Sequence, residues 1–322
     1  MAVYTHVSAE ALIAFLARYD VGTLVSAKGI AEGVENSNYL VETTCGRFIL
    51  TLYEKRVAAS DLPFFMALID HLATKGLPVP PVIRDRDGGG IQELCGRPAC
   101  LITFLPGVAL SQPTKAQARA AGEMLGAMHH ALTDFTLSRP NMMGQSHWQS
   151  LYERCGTSLD AIAPGLHHDM GWAIKDLSST WNRDSLDRSV IHADLFPDNL
   201  LMLGDRVTGV IDFYFACTDI RLYDLAIMDT SWAFDADGHR HDAATSAALR
   251  QGYGRYFPLN EEDEAGFADL CVGACIRFTL SRAWDWLNTP ADALVTRKDP
   301  LAYWRRIAAY DPDLARLLPT LR

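Results

Sequence analysis

Nowhere in its 322 residues does the chain run for about 18 uncharged apolar residues, the length a helix needs to cross a bilayer. Residues 1–20 also lack the basic n-region and continuous apolar stretch of a secretory signal, so the expected location is the cytoplasm. Basic charge is scarce: 29 Lys and Arg against 39 Asp and Glu give a formal net charge of -10. Nucleic acid and anionic membranes are both held by clustered cations, so neither partner is expected, and a small molecule is. Cysteines number only seven and show no repeated pair spacing. Cys271 and Cys275 are spaced as helix neighbours rather than as a metal knuckle, and the thiols read as reduced core residues. Internal repeats and low-complexity tracts are absent too. What the chain does have is apolar mass, at 49% of its residues. That is enough for a large core, in two domains or one large one.

Local patterns divide the chain unevenly. Ser8 is placed to cap an amphipathic helix to residue 19 with Leu12, Ile13 and Leu16 on one face. Segments 24–30, 38–43 and 47–53 are rich in β-branched and aromatic residues, and Thr44-Cys45-Gly46 makes a tight turn between the last two. A helix from Pro63 to Lys75, stopped by Gly76 and Pro78, precedes two further short strands, 91–94 and 98–104, around Cys95-Gly96. Leu105-Pro106-Gly107 then breaks the pattern. This places an N-terminal lobe over 1–105 and a C-terminal lobe over 106–322. In the latter, Thr114 and Gln117 form a capping box for a helix reaching His130, and helical periodicity recurs over 148–161 and 169–181. A β island, 200–203 and 207–211 joined by Gly204-Asp205-Arg206, interrupts the helices, which then resume to the C-terminus.

Three elements follow one another in the order that phosphoryl transfer from a nucleotide requires. They are a glycine-containing β-turn at 29–38, the His-x-Asp-x4-Asn loop His192-Ala193-Asp194-Leu195-Phe196-Pro197-Asp198-Asn199, and an apolar strand ending in Ile211-Asp212-Phe213. Such transfer is catalysed by positioning and by neutralising phosphate oxygens, with a carboxylate near the acceptor hydroxyl to take its proton. Asp194 is the candidate base. Asn199, five residues on, is placed to offer an amide oxygen to a metal ion, and Asp212 to bind Mg²⁺ across the phosphates of ATP. His192 reads as an organiser of the loop. The plainer alternative makes Asp194 and Asp198 turn residues and Asn199 a cap, but leaves their spacing unexplained. In the first lobe, Gly33 offers conformational freedom and Ser37 and Asn38 offer donors to the phosphates, although a plain hairpin loop has the same composition. The backbone of Thr103 and Leu105 is the candidate hinge for an adenine edge.

At these residues the sequence resembles the aminoglycoside-phosphotransferase-like kinases, and within them the ThrB-type homoserine kinases. The likeness spans nearly the whole chain. It rests on Glu32-Gly33-Val34-Glu35-Asn36-Ser37-Asn38-Tyr39, on Leu50-Thr51-Leu52-Tyr53-Glu54-Lys55, on the 192–199 loop, and on Asp212-Phe213-Tyr214 with Tyr223-Asp224-Leu225-Ala226. The resemblance implies an α+β, protein-kinase-like two-lobed fold, with an antiparallel sheet in the small lobe and a mainly helical large lobe. It also implies ATP and Mg²⁺ as cofactors, and transfer of the γ-phosphate to the side-chain hydroxyl of L-homoserine on the way to threonine. By matching positions it carries the base to Asp194, the metal ligands to Asn199 and Asp212, and a supporting role to Asp224, otherwise a helix N-cap. Two departures stand out. The lysine usual on the third strand is replaced by Thr51, with Lys55 on the same strand face either substituting or lying on the surface. Ala193 stands where glycine or arginine is usual.

Homoserine is a zwitterion, so its pocket needs a cation for the carboxylate and an anion or carbonyl for the ammonium. Tyr214, Asp219 and Arg221 follow the metal-binding aspartate, while Arg277, Arg282 and Trp284 lie on one late helix whose plainer role is packing. Kinases of choline, methylthioribose or aminoglycosides use the same base and metal ligands with a different cap. The acidic run Glu261-Glu262-Asp263-Glu264, which a polycationic aminoglycoside would favour, reads more simply as the charged start of a helix. A non-catalytic nucleotide-binding protein is the reading from a different class, motivated by Thr51.

Overall fold

The computed structural model describes residues 5–30, 36–54, 58–181, 185–289 and 297–321. These form two compact units, Met1–Gly107 with Thr208–Tyr214, and Val108–Val207 with Phe215–Arg322. The sequence expects one cut after residue 105. The structure instead counts 208–214 with the first unit, because the Val210 N–H donates to Pro78 O and Tyr214 packs edge-on against Tyr53 and Phe65.

The first unit is built on a six-stranded antiparallel sheet. Helix α1 (Ala9–Leu16) starts at Ser8, whose hydroxyl accepts the Ala11 N–H. Strands β1 (Leu24–Ile30), β2 (Asn36–Thr43) and β3 (Gly46–Tyr53) form a meander, and α2 (Leu62–Thr74) begins with Pro63 in its first turn, where a missing N–H costs nothing. Strands β4 (Val82–Ile83), β5 (Gln92–Leu94) and β6 (Arg97–Thr103) complete the sheet in the order β1-β2-β3-β6-β4, with β5 also on β6. The turn between β5 and β6 puts Cys95 at φ 54° and Gly96 at φ 72°, the two positive values that a mirror-image hairpin turn needs. Leu50, Thr51, Leu52 and Tyr53 are consecutive buried residues, as expected of a central strand covered on both faces. Leu12, Phe15 and Leu16 of α1 close one face over Tyr39, Val41, Leu50, Leu52, Ala99 and Leu101.

The second unit is mainly helical. After β7 (Val108–Ala109), Thr114 and Gln117 form both bonds of the expected capping box on α3 (Lys115–Ala131). Helix α4 (Gln145–Cys155) stops at Gly156 (φ 53°), so the helix expected to reach 161 continues only as a 3-10 turn. Helix α5 (Leu166–Thr180) leads to β8 (Arg188–Ile191) and β9 (Leu200–Leu203); β10 (Arg206–Val210) then runs into the 208–214 segment counted with the first unit, and β11 (Cys217–Ile220) pairs back on β8. Helices α6 (Arg221–Trp232), α7 (Ala243–Tyr253), α8 (Glu261–Asn288), α9 (Leu301–Tyr310) and α10 (Pro312–Leu317) follow. The 28-residue α8 opens with an Asn260–Asp263 capping box and four acidic residues at its positive dipole end, the role expected of that run. Helices α3 and α7 cross closely because a Cβ on Gly122 would meet Leu249 O at 2.0 Å, and one on Gly252 would meet Arg119 O at 2.0 Å. Five of the seven cysteines are buried, but Cys45 and Cys95 are exposed because each sits in a hairpin turn rather than in a core. Among the described residues no helix is long and apolar enough to cross a membrane.

Candidate active site

The loop 192–199 leaves β8 and enters β9 within the second unit. Its geometry depends on one buried carboxylate. Asp224, in the first turn of α6 and fully buried, takes the His192 N–H on Oδ2 (2.7 Å) and the Ala193 N–H on Oδ1 (2.8 Å). Two adjacent amides can converge on one carboxylate only if the chain turns sharply, and Ala193 accordingly adopts φ 63°. That region costs an L-residue on the order of 1 kcal/mol or more, which the buried bonds to Asp224 offset. The Ala193 carbonyl accepts from Arg277 Nη1 (2.6 Å), and the Leu195 carbonyl accepts from Trp232 Nε1 (3.0 Å).

Asp194 sits at the tip of this turn. Its backbone N–H donates to His192 Nδ1 (3.3 Å), and its carbonyl accepts from the Phe196 N–H (2.8 Å) and from Asn199 Nδ2 (2.8 Å). The same Nδ2 lies 3.2 Å from Asp194 Oδ2, so one amide group steadies both backbone and carboxylate. His192, 1% exposed, organises the loop through its ring nitrogen and its backbone. With its NH₂ so used, Asn199 has an amide oxygen that accepts no hydrogen bond among the described residues. An amide and a carboxylate oxygen are the hard donors a divalent cation takes. Among the described residues no three His, Cys, Asp or Glu side chains group as a metal site.

The charge on Asp224 is maintained against its surroundings. Burial alone pushes its carboxyl up, but the His129 side chain and the His192 N–H outweigh burial and hold it below the ordinary 3.8. His129 of α3 is fully buried, with Nε2 3.2 Å from Asp224 Oδ2 and Nδ1 3.2 Å from the Tyr253 hydroxyl of α7. Four helices therefore converge on the loop: α3 through His129, α6 through Asp224 and Trp232, α7 through Tyr253, and α8 through Arg277. The family resemblance points to Asp224. Nothing in the sequence distinguishes His129 from His130, or Trp232 from the other tryptophans.

In the first unit, Asp212 follows β10 at φ 67° and is half-buried. Ser37 is fully buried, accepting from Thr5 N (3.0 Å) and donating to Glu54 Oε1 (2.7 Å). Its hydroxyl is turned into the unit, so the expected phosphate donor is a strand-packing residue. Thr51 Oγ1 donates to Asn38 Oδ1 (2.8 Å), which makes these two facing residues of β2 and β3 a cross-strand pair. Beside them the Tyr214 hydroxyl donates to the Tyr53 hydroxyl (3.4 Å), itself 3.1 Å from Cys100 Sγ. Burial lifts both phenols well above their usual range. The strand position where a lysine is usual is thus embedded in a neutral, hydrogen-bonded cluster, and Tyr214 belongs to that cluster rather than to an acceptor pocket. The Thr103 N–H is consumed by Pro81 O (3.1 Å), which removes it as a hinge donor, whereas Leu105 makes no hydrogen bond among the described residues. Gly33 and Lys55 lie outside the described residues.

The six acceptor candidates separate clearly. Asp219 is occupied by Asn141 Nδ2 (2.6 Å), Arg188 (3.4 Å) and the Ile220 N–H (2.8 Å). Arg221 pairs with Asp187 (2.7 Å) and lies over the Phe257 ring. Trp284 lies under the Arg154 guanidinium, 4.0 Å away. Arg277, 2% exposed, holds the Ala193 carbonyl, and Tyr214 is accounted for above. These five side chains are engaged in the contacts given, and Arg277 keeps a buried Nε without a hydrogen-bond partner among the described residues. Of the six, Arg282 is a half-buried residue whose guanidinium has no carboxylate ion-paired to it among the described residues and lies within the electrostatic reach of Asp194.

With that geometry in view, the comparisons with known proteins are direct. A model of the phosphotransferase enzyme family matches residues 26–259. The chain belongs to this family. It is 52% identical over 312 residues to the homoserine kinase of Zymomonas mobilis, covering 96% of this chain and 97% of that one. It is 48% identical over 308 residues to the homoserine kinase of Gluconobacter oxydans, covering 95% and 97%. Among solved structures, an amicoumacin kinase in complex with AMP-PNP, Ca²⁺ and Ami superposes with a TM-score of 0.71 at 14% identity, covering 96% of this chain and 97% of that one. A microcompartment-associated aminopropanol kinase gives 0.69 at 20% identity, covering 98% and 99%. The mixed fold, an antiparallel sheet in one unit and helices in the other, is the protein-kinase-like fold of these phosphotransferases.

Proposed function

We propose that the chain is an ATP-dependent homoserine kinase, transferring the γ-phosphoryl group of ATP to the side-chain hydroxyl of L-homoserine and releasing ADP. The supporting observation is the pair of full-length relatives near 50% identity that carry that name, together with the Asp194 loop held by Asp224. Asp194 accepts the hydroxyl proton as the acceptor oxygen bonds to the γ-phosphorus and the bond to ADP breaks. Asn199 keeps the Asp194 carboxylate in place through its NH₂ group and would offer its amide oxygen to a cation, and Asp212 is the carboxylate of the first unit that would serve as a cation ligand. A bound Mg²⁺ would supply neutralisation of phosphate charge there. Leu105 offers backbone groups to the adenine edge, and the Asn38–Thr51 pair lines the strand where the phosphate-binding lysine is usual. The first unit is the nucleotide-binding lobe in this reading, and the second carries the base and the acceptor site.

An ADP-release assay with L-homoserine, choline, methylthioribose and an aminoglycoside as parallel acceptors tests the substrate. Homoserine-dependent turnover well above the others is expected. Turnover only with a different alcohol would reject homoserine and keep the kinase reading, and ATP binding without transfer to any acceptor would support the non-catalytic alternative.

A further inference from the structure

We propose that Arg282, seated on Tyr303 beside the Asp194 loop, receives the carboxylate of the acceptor, with Lys298 above Phe196 as a second cation. The inference deepens the homoserine reading and rests on it, since it requires an acceptor that carries both a hydroxyl and a carboxylate.

The observations begin with the aromatic wall. Phe196, two residues after Asp194, packs against Phe278 of α8 (ring centroids 4.9 Å) and nearly parallel to Tyr303 of α9 (6.3 Å, 21°), and Phe278 packs against Tyr303 (4.9 Å). The three rings tie the catalytic loop to α8 and α9. The Arg282 guanidinium lies 4.5 Å from the Tyr303 ring centroid, and Lys298 Nζ lies 5.9 Å from that of Phe196. Arg282 thus lies over a ring that abuts the loop bearing the base, and Lys298 over a ring of that loop.

Neither cation is paired with a carboxylate among the described residues. Arg282 Nη1 donates only to the backbone carbonyl of Asp299 (3.2 Å), while the Asp299 carboxylate is taken by Arg305 (3.1 Å) and the Leu301 N–H (2.9 Å). Several exposed or half-buried arginines of this unit do have a carboxylate: Arg188 has Asp219, Arg221 has Asp187, and Arg316 has Asp313. In a chain of net charge -10, two cations without an ion-paired carboxylate among the described residues are gathered beside the base. A partly buried guanidinium held over a ring, with no carboxylate ion-paired to it among the described residues, has N–H groups left to offer in the fork that matches a carboxylate. Burial lowers its affinity for the proton, in which Arg306 acts with burial and Asp299 and Asp194 against it; a bound carboxylate would reverse that cost. Arg277 and Arg306 do not compete for the role. Both are buried, and each donates to backbone carbonyls, Arg277 to Ala193 and Arg306 to Thr230 and Asp235.

The test compares L-homoserine with 3-aminopropan-1-ol, the same molecule without its carboxylate, measured as kcat/KM or as a competitive Ki in wild type, Arg282→Met, Arg282→Lys and Lys298→Met. Wild type should prefer homoserine. Arg282→Met should cut that preference by about 10- to 100-fold, mostly through KM, as expected for loss of a charged hydrogen bond. Arg282→Lys should fall between, and exposed Lys298→Met should give a smaller loss of the same sign. An unchanged preference in folded Arg282→Met overturns the proposal, and so does an equal fall for both acceptors, which would assign Arg282 to the phosphoryl group or to packing. If Arg282→Met fails to fold, unchanged preferences in Arg282→Lys and Lys298→Met overturn it as well. A wild type with no homoserine-dependent ADP release, but active on another alcohol, rejects the homoserine reading itself and this inference with it.

Discussion

Two sides of Asp194 are built differently. On the loop side, the amides of His192, Ala193 and Asp194 and the carbonyls of Ala193, Asp194 and Leu195 all have hydrogen-bond partners, four of those six supplied by Asp224, Arg277 and Trp232 from α6 and α8. On the aromatic side, Phe196, Phe278 and Tyr303 supply shape, and the Arg282 and Lys298 cations above them have no carboxylate among the described residues. In the proposed reading the difference separates two tasks. A proton acceptor must be positioned within a fraction of an ångström, so its backbone is over-determined. A group that recognises the acceptor must keep bonding capacity in reserve, so it is left on apolar support.

The contrast is broken most severely at Asp224. Asp224→Ala leaves two buried N–H groups unpaired and removes the carboxylate that holds Ala193 at positive φ. It should cost about 3–5 kcal/mol in urea unfolding, and the activity of folded enzyme should fall by about 100-fold or more. Asp224→Asn is milder at about 1–3 kcal/mol, because one of the two amides then faces an NH₂ group. The pH dependence sharpens this. Because the folded Asp224 carboxyl lies below 3.8, its contribution is fully present above that value and is lost as pH falls through the folded value. The advantage of wild type over Asp224→Asn in urea midpoint should therefore shrink below pH 3.8. Trp232→Phe removes the donor to Leu195 O and should cost about 1–2 kcal/mol, with kcat falling more than KM rises. Ala193→Gly is the gentlest change. It relieves a left-handed alanine while adding freedom to the unfolded chain, so the melting temperature should hold or rise slightly, a net effect within about 1 kcal/mol.

Legibility in the sequence followed the range of the interactions. The meander, the Pro63 helix start, the Thr114–Gln117 capping box and the 192–199 spacing are local, and local chemistry is written in adjacent residues. The partners of the Ser37 hydroxyl and the Thr103 N–H were not legible, because composition shows that a group can donate but not where the fold spends it: on Glu54 for Ser37 and on Pro81 O for Thr103. The partners of the acceptor candidates were illegible for a related reason. Asp219, Arg221 and Arg277 have the right charges at suggestive positions, but their partners, Asn141, Asp187 and the Ala193 carbonyl, are between 34 and 84 residues away. His129 and Tyr303 carry no local signature at all. Their importance arises from helices that meet only in the fold.

The central claim is that Asp194 takes the acceptor proton. Homoserine-dependent ADP release by Asp194→Asn, with ATP binding and melting temperature measured on the same preparation, tests it most directly. The account predicts a fall in kcat of about 10²- to 10⁴-fold with ATP binding and stability retained. A variant that turns over within a few fold of wild type would contradict it.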